Sequence, residues 1–128
     1  MISRTHPFAN DSADGNWLNT RIQLAVGGFS GLIDGQLRAN ELETFRIELA
    51  KLYRTLSGQA TLSTLEDWLT LEIVGDGKGH LSFHGEIMDE PGIGNTFKFR
   101  LELDQSFVSK TINDLEQVTK AFPVLGLA

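Results

Sequence analysis

Thr96-Phe97-Lys98-Phe99-Arg100-Leu101-Glu102-Leu103-Asp104 alternates without a break. Phe97, Phe99, Leu101 and Leu103 fall on one side, and Thr96, Lys98, Arg100 and Glu102 on the other. That is the period of two of a half-buried β-strand. A strand polar on one face needs cover on the other face only, so it belongs to an antiparallel sheet with a wet side.

The segments upstream repeat the pattern. His80–Met88 places Leu81, Phe83, Gly85 and Ile87 inward, and the loop Asp89–Asn95 joins it to the strand from Thr96. Trp68–Val74 groups Leu69, Leu71 and Ile73 and runs into Gly75-Asp76-Gly77-Lys78-Gly79, a turn cluster. Ala60–Leu65 reads as a shorter strand. Nearer the start, Trp17–Val26 sets Leu18, Thr20, Ile22, Leu24 and Val26 on one face. Gly27-Gly28 supplies the positive φ of a tight hairpin turn, and Phe29–Leu37 returns with Phe29, Gly31, Ile33, Gly35 and Leu37 together. Ile2–Phe8 has room for a short edge strand, although Pro7 weakens it.

Two segments switch to helical spacing. Leu42, Phe45, Leu49, Leu52 and Leu56 recur on one stripe, with Asn40 and Glu43 placed as a capping box and Gly58 as the C-terminal stop. Val108, Ile112, Leu115, Val118 and Phe122 form a second stripe, closed by Pro123. The order is β-β-α-β-β-β-β-α. It predicts an α+β fold: a curved antiparallel sheet of about six strands with two helices packed on one face. Residues 1–128 form a single domain on this reading, with 1–16 an irregular N-terminal segment.

Composition narrows the chemistry. Acidic residues outnumber basic ones 17 to 11, for a net charge of −6. Lysines and arginines are scattered, which argues against a nucleic-acid partner. There is no cysteine, so disulfides, thiolate metal sites and a cysteine nucleophile are excluded. MISRTHPFAN lacks the apolar core of a signal peptide, and no apolar run approaches the roughly 18 residues of a membrane span. A cytoplasmic protein is expected.

On the strand from His80, residues His80, Ser82, His84 and Glu86 face away from the core. His80 and His84 are about 13 Å apart at the strand rise of about 3.3 Å per residue, too far to share one ion. The spacing fits no zinc motif. Gly75–Gly79 lacks P-loop spacing and a following helix, and no nucleophile motif is present. The sequence therefore predicts no catalytic residue, no metal and no cofactor. If the last two strands pair, Lys98 and Arg100 lie beside His84 and Glu86. Trp17 and Trp68 start strands and alternate to the same outward side. Trp17, Trp68, His84, Glu86, Lys98 and Arg100 are the candidate protein-binding surface.

Several stretches together resemble the WapI family of bacterial immunity proteins. They are Asp14-Gly15-Asn16-Trp17-Leu18 leading into a long alternating strand, Leu42-Glu43 at a helix start, and Glu66 with Leu69 and Leu71. Thr96-Phe97-Lys98-Phe99 and the closing Phe122-Pro123 complete the set. The resemblance spans about Trp17 to Pro123. It implies a small cytoplasmic protein that binds and blocks a toxin domain, without activity of its own. Such toxins are often basic nucleases, and the negative charge suits a basic partner. Two other readings stand beside this one. One is a small-molecule pocket between sheet and helices, where Gly31 and Gly35 face Tyr53. The other is a structural subunit, monomer or homodimer, that pairs through an exposed edge strand.

Overall fold

A computed structural model describes residues 2–9, 11, 13–90 and 92–125. Among them the elements run β1 (Ile2–Arg4), β2 (Trp17–Val26), β3 (Phe29–Arg38), α1 (Ala39–Thr55), β4 (Ser57–Ser63), β5 (Leu69–Asp76), β6 (Leu81–Met88), β7 (Thr96–Leu103) and α2 (Gln105–Ala121). Asn10, Ser12 and Pro91, assigned above to loops, lie outside the described residues. The fold is α+β, with every strand pair antiparallel. The extra strand is β1, which pairs Ile2 with Thr20 at the start of the segment read as irregular.

The strands divide between two open sheets, β1-β2-β3 and β4-β5-β6-β7. No ladder joins β3 to β4. On those edges the Trp68 indole donates Nε1–H to the Gln36 carbonyl on β3 at 2.8 Å, and the Glu48 carboxylate on α1 accepts the Thr61 N–H on β4 at 2.9 Å, so each takes up one backbone group that would otherwise need a partner.

Leu18 and Leu37 from the first sheet, Leu62, Ile73, Leu81 and Ile87 from the second, Phe45 and Leu49 from α1, and Val108 and Ile112 from α2 are buried in one cluster. The last four strands keep the expected parity: Leu71, Gly85 and Phe99 are in register on the core side, and Glu72, His84 and Arg100 on the other. Gly85 has no Cβ because the Phe99 ring lies over it.

Both ends of α1 differ from the sequence reading. Its N-cap is Arg38, and Glu41 accepts the Arg38 N–H at 2.6 Å. Only the reach-back half of a box is formed, by Glu41 in place of Glu43, since the Arg38 side chain that replaces Asn40 at the cap has no acceptor. Packing decides the shift: Ala39 is buried and donates its N–H to the Asn16 carbonyl at 2.8 Å. At the other end Leu56 is the C-cap, left-handed with φ 57°, two residues before Gly58, whose φ of 100° is also positive. Gly58 already belongs to β4. α2 is capped by Asp104, whose carboxylate accepts the Phe107 N–H at 2.9 Å.

The chain termini are tied together. Arg4 donates to the Gly15 and Pro123 carbonyls. The buried Asn16 side chain donates to the Leu125 carbonyl and accepts the Leu125 N–H at 2.7 Å.

Candidate protein-binding face

The outer face of the second sheet collects four of the six residues singled out from sequence. His84 lies opposite Arg100, and Glu86 opposite Lys98. On the other flank Glu72 lies opposite His84, and Thr70 opposite Glu86. Lys98 Nζ reaches Glu86 Oε1 at 3.3 Å, and Arg100 reaches Glu102 Oε1 at 3.7 Å. These pairs are solvent-exposed, so each stabilises the fold little. They leave a mixed-charge surface whose groups are free to exchange partners. A shallow depression of about 370 Å³ between Thr70, Glu72, His84, Glu86 and Lys98 marks its centre.

The two tryptophans do not join this face. Trp17 stands on β2, in the other sheet, half-buried with the Arg38 guanidinium 5.9 Å from its ring centroid. Trp68 corrects the sequence reading outright. It is 2% exposed, with its ring packed against Gly35 of β3. Alternation counted backward from Leu69 puts Trp68 outside, but the chain is not extended there. Asp67 takes a left-handed φ of 54° inside a turn where Asp67 N–H bonds the Thr64 carbonyl. That kink turns the indole into the core. Tyr53, expected to face Gly31 and Gly35, is exposed on α1.

Alternation puts Glu102 outward with Lys98 and Arg100. Glu72, which lies opposite His84, is not among the residues singled out from sequence, although it stands out of step with Leu71 and Ile73 and the same alternation points it outward. The β4–β5 and β6–β7 connections lie at one end of this sheet. They carry Glu66, Asp67, Asp89 and Glu90 with the exposed Leu65 and Ile93. Asp89 is engaged within its own loop. The Asn95 side chain and backbone N–H hold its carboxyl below the usual range.

The remaining histidine pattern is local. The Asp76 carboxylate accepts the Lys78 and His80 N–H groups and contacts the His80 ring at 2.8 Å. These bonds hold its carboxyl below the usual range. Gly77 and Gly79 supply the positive φ of this hairpin turn. Among the described residues no three His, Asp or Glu side chains are grouped to hold a metal ion. No helix among them is long and apolar enough to cross a membrane.

The family model of immunity protein WapI-like proteins matches residues 2–123. Comparison with curated proteins finds no match. Both sheets and both helices lie inside the matched span. The chain belongs to the immunity protein WapI-like family.

Proposed function

We propose that this chain binds and blocks a toxin domain in the cytoplasm, with no catalysis of its own. Membership of an immunity family supports a protein partner. The observation that carries the choice of surface is the cross-strand array on β5–β7, where Glu72, His84, Arg100, Glu86 and Lys98 meet on a face that no helix covers. A flat array of both charge signs suits recognition of a folded partner by complementary pairing, which sets specificity and encounter rate more than raw affinity. The net charge of −6 favours encounter with a basic toxin.

Growth rescue tests the proposal. Each candidate toxin domain among the genes flanking this chain's own is expressed with and without the chain. Wild type is expected to restore growth, and a variant combining Glu86→Lys, Lys98→Glu and Arg100→Glu to fail while remaining folded. Absence of rescue by wild type, or full rescue by the folded variant, overturns it.

A further inference from the structure

Three strands close the exposed ends of the two sheets in different ways. β4 lends its Thr61 N–H to Glu48, β3 lends its Gln36 carbonyl to Trp68, and β1 is three residues long. β7 is eight residues long, and among the described residues its outer edge makes no hydrogen bond. A long edge strand of that kind is a template for another strand. Its apolar row is also incompletely covered: Leu101 is 37% exposed, and Phe107 in the first turn of α2 is exposed beside it in sequence.

We propose that β7 pairs antiparallel with β7 of a second copy, on a two-fold axis through Leu101. Residues directly opposite in an antiparallel pair share a face, so the axis must pass through a residue and not between two. With Leu101 on the axis, Arg100 faces Glu102 of the second copy and Glu102 faces Arg100. Phe99 faces Leu103. Over residues 99–103, where both strands are extended, each charged position meets its opposite and each apolar position meets an apolar one. The neighbouring registers fail this condition. An axis through Arg100 stacks two arginines, one through Glu102 stacks two glutamates, and one through Phe99 sets Lys98 against Arg100. The existing Arg100–Glu102 pair is 3.7 Å long and exposed at both ends, so exchanging it for an intermolecular one costs little. The result is a continuous eight-stranded sheet with the outer faces side by side. It takes up Arg100, which also belongs to the proposed toxin-binding face, but it does not rest on that reading. The contact is at the small end of specific interfaces, so self-association of modest strength is expected.

Sedimentation velocity on the full chain, from micromolar to millimolar concentration, tests this. Wild type is expected to move from 14.1 kDa toward twice that mass. Arg100→Glu alone sets two glutamates opposite each other, and Glu102→Arg alone sets two arginines opposite. Each is expected to weaken self-association by about 10-fold or more. The double variant regenerates both pairs and is expected to return to the wild-type curve. Circular dichroism confirms that the exposed substitutions leave each variant folded. A wild-type mass fixed at the monomer value overturns the proposal, as does self-association that ignores the single reversals. A folded double variant that stays monomeric overturns the register.

Discussion

Trp68 and Gly35 are interlocked, and a double-mutant cycle between them reads the contact that joins the two sheets. A Cβ built on Gly35 lies 2.5 Å from two carbons of the Trp68 ring. The Gly35 backbone itself is ordinary strand and accepts alanine. In a strand, Ala in place of Gly gains roughly 0.5–1 kcal/mol of conformational entropy, while overpacking costs about 1–3 kcal/mol. Gly35→Ala in the wild-type background is therefore expected to destabilise by about 1–2 kcal/mol. Trp68→Ala removes a side chain that is 2% exposed and is expected to cost about 3–5 kcal/mol. In that background the clash is gone, and Gly35→Ala turns stabilising by roughly 0.5–1 kcal/mol. The coupling is then about 2 kcal/mol, with a reversal of sign. Urea unfolding followed by far-ultraviolet circular dichroism measures all four proteins without relying on tryptophan emission. Trp68→Leu serves where Trp68→Ala falls below the stability needed to fold. A neutral or stabilising Gly35→Ala in wild type, or a coupling below about 0.5 kcal/mol, refutes the reasoning.

Other perturbations test separate parts of the account. Glu48→Ala leaves the Thr61 N–H without its acceptor. It is expected to cost about 1–2 kcal/mol and to speed hydrogen exchange at Thr61 by NMR. Gly75→Ala drives a Cβ to 2.5 Å from the Leu56 carbonyl oxygen. Main chain cannot swing aside as a ring can, so a loss of about 2–3 kcal/mol by urea unfolding is expected. Asp104 caps α2, and the Ser106 hydroxyl and Phe107 N–H hold its carboxyl below the usual range. A pKa lowered in the folded state means the stabilisation is present above the unfolded value of about 4 and is lost as pH falls through the lower folded value. Asp104→Ala is expected to lower the thermal midpoint by a few degrees at pH 7, with the difference shrinking as the pH falls below about 4.

The elements whose order depends on local periodicity were readable without the structure. β7 and the α2 stripe stand where alternation and helical spacing put them, because the apolar row of each is turned toward the core, as the buried Val108 and Ile112 of α2 show. The outward row of His84, Glu86, Lys98 and Arg100 follows from the same parity once β6 pairs with β7. Reading failed where tertiary contacts override local signals. Asn40 and Glu43 make a sound capping box on paper, but burial of Ala39 moves the cap to Arg38. Gly58 does take a positive φ, yet the helix is capped two residues earlier by left-handed Leu56, whose carbonyl accepts the Gly77 N–H at 2.7 Å. Asp67 breaks the alternation on which the placement of Trp68 relied. In the division into two sheets Trp68 and Glu48 reach strands far away in sequence, and no window of local sequence contains that information.

Calorimetric titration of this chain against each candidate toxin domain among the genes flanking its own tests the central claim most directly. Three proteins are compared: wild type, the outer-face variant with Glu86→Lys, Lys98→Glu and Arg100→Glu, and a control with Arg21→Asp and Asp34→Arg. The control exchanges an exposed ion pair on the first sheet, where Arg21 Nε and Asp34 lie 2.7 Å apart. Tight binding by wild type and control, with about 100-fold or greater loss in the outer-face variant, is the predicted result. Equal affinity for all three, or loss in the control alone, contradicts the assignment of the β5–β7 face. No binding by wild type contradicts the toxin-blocking function itself.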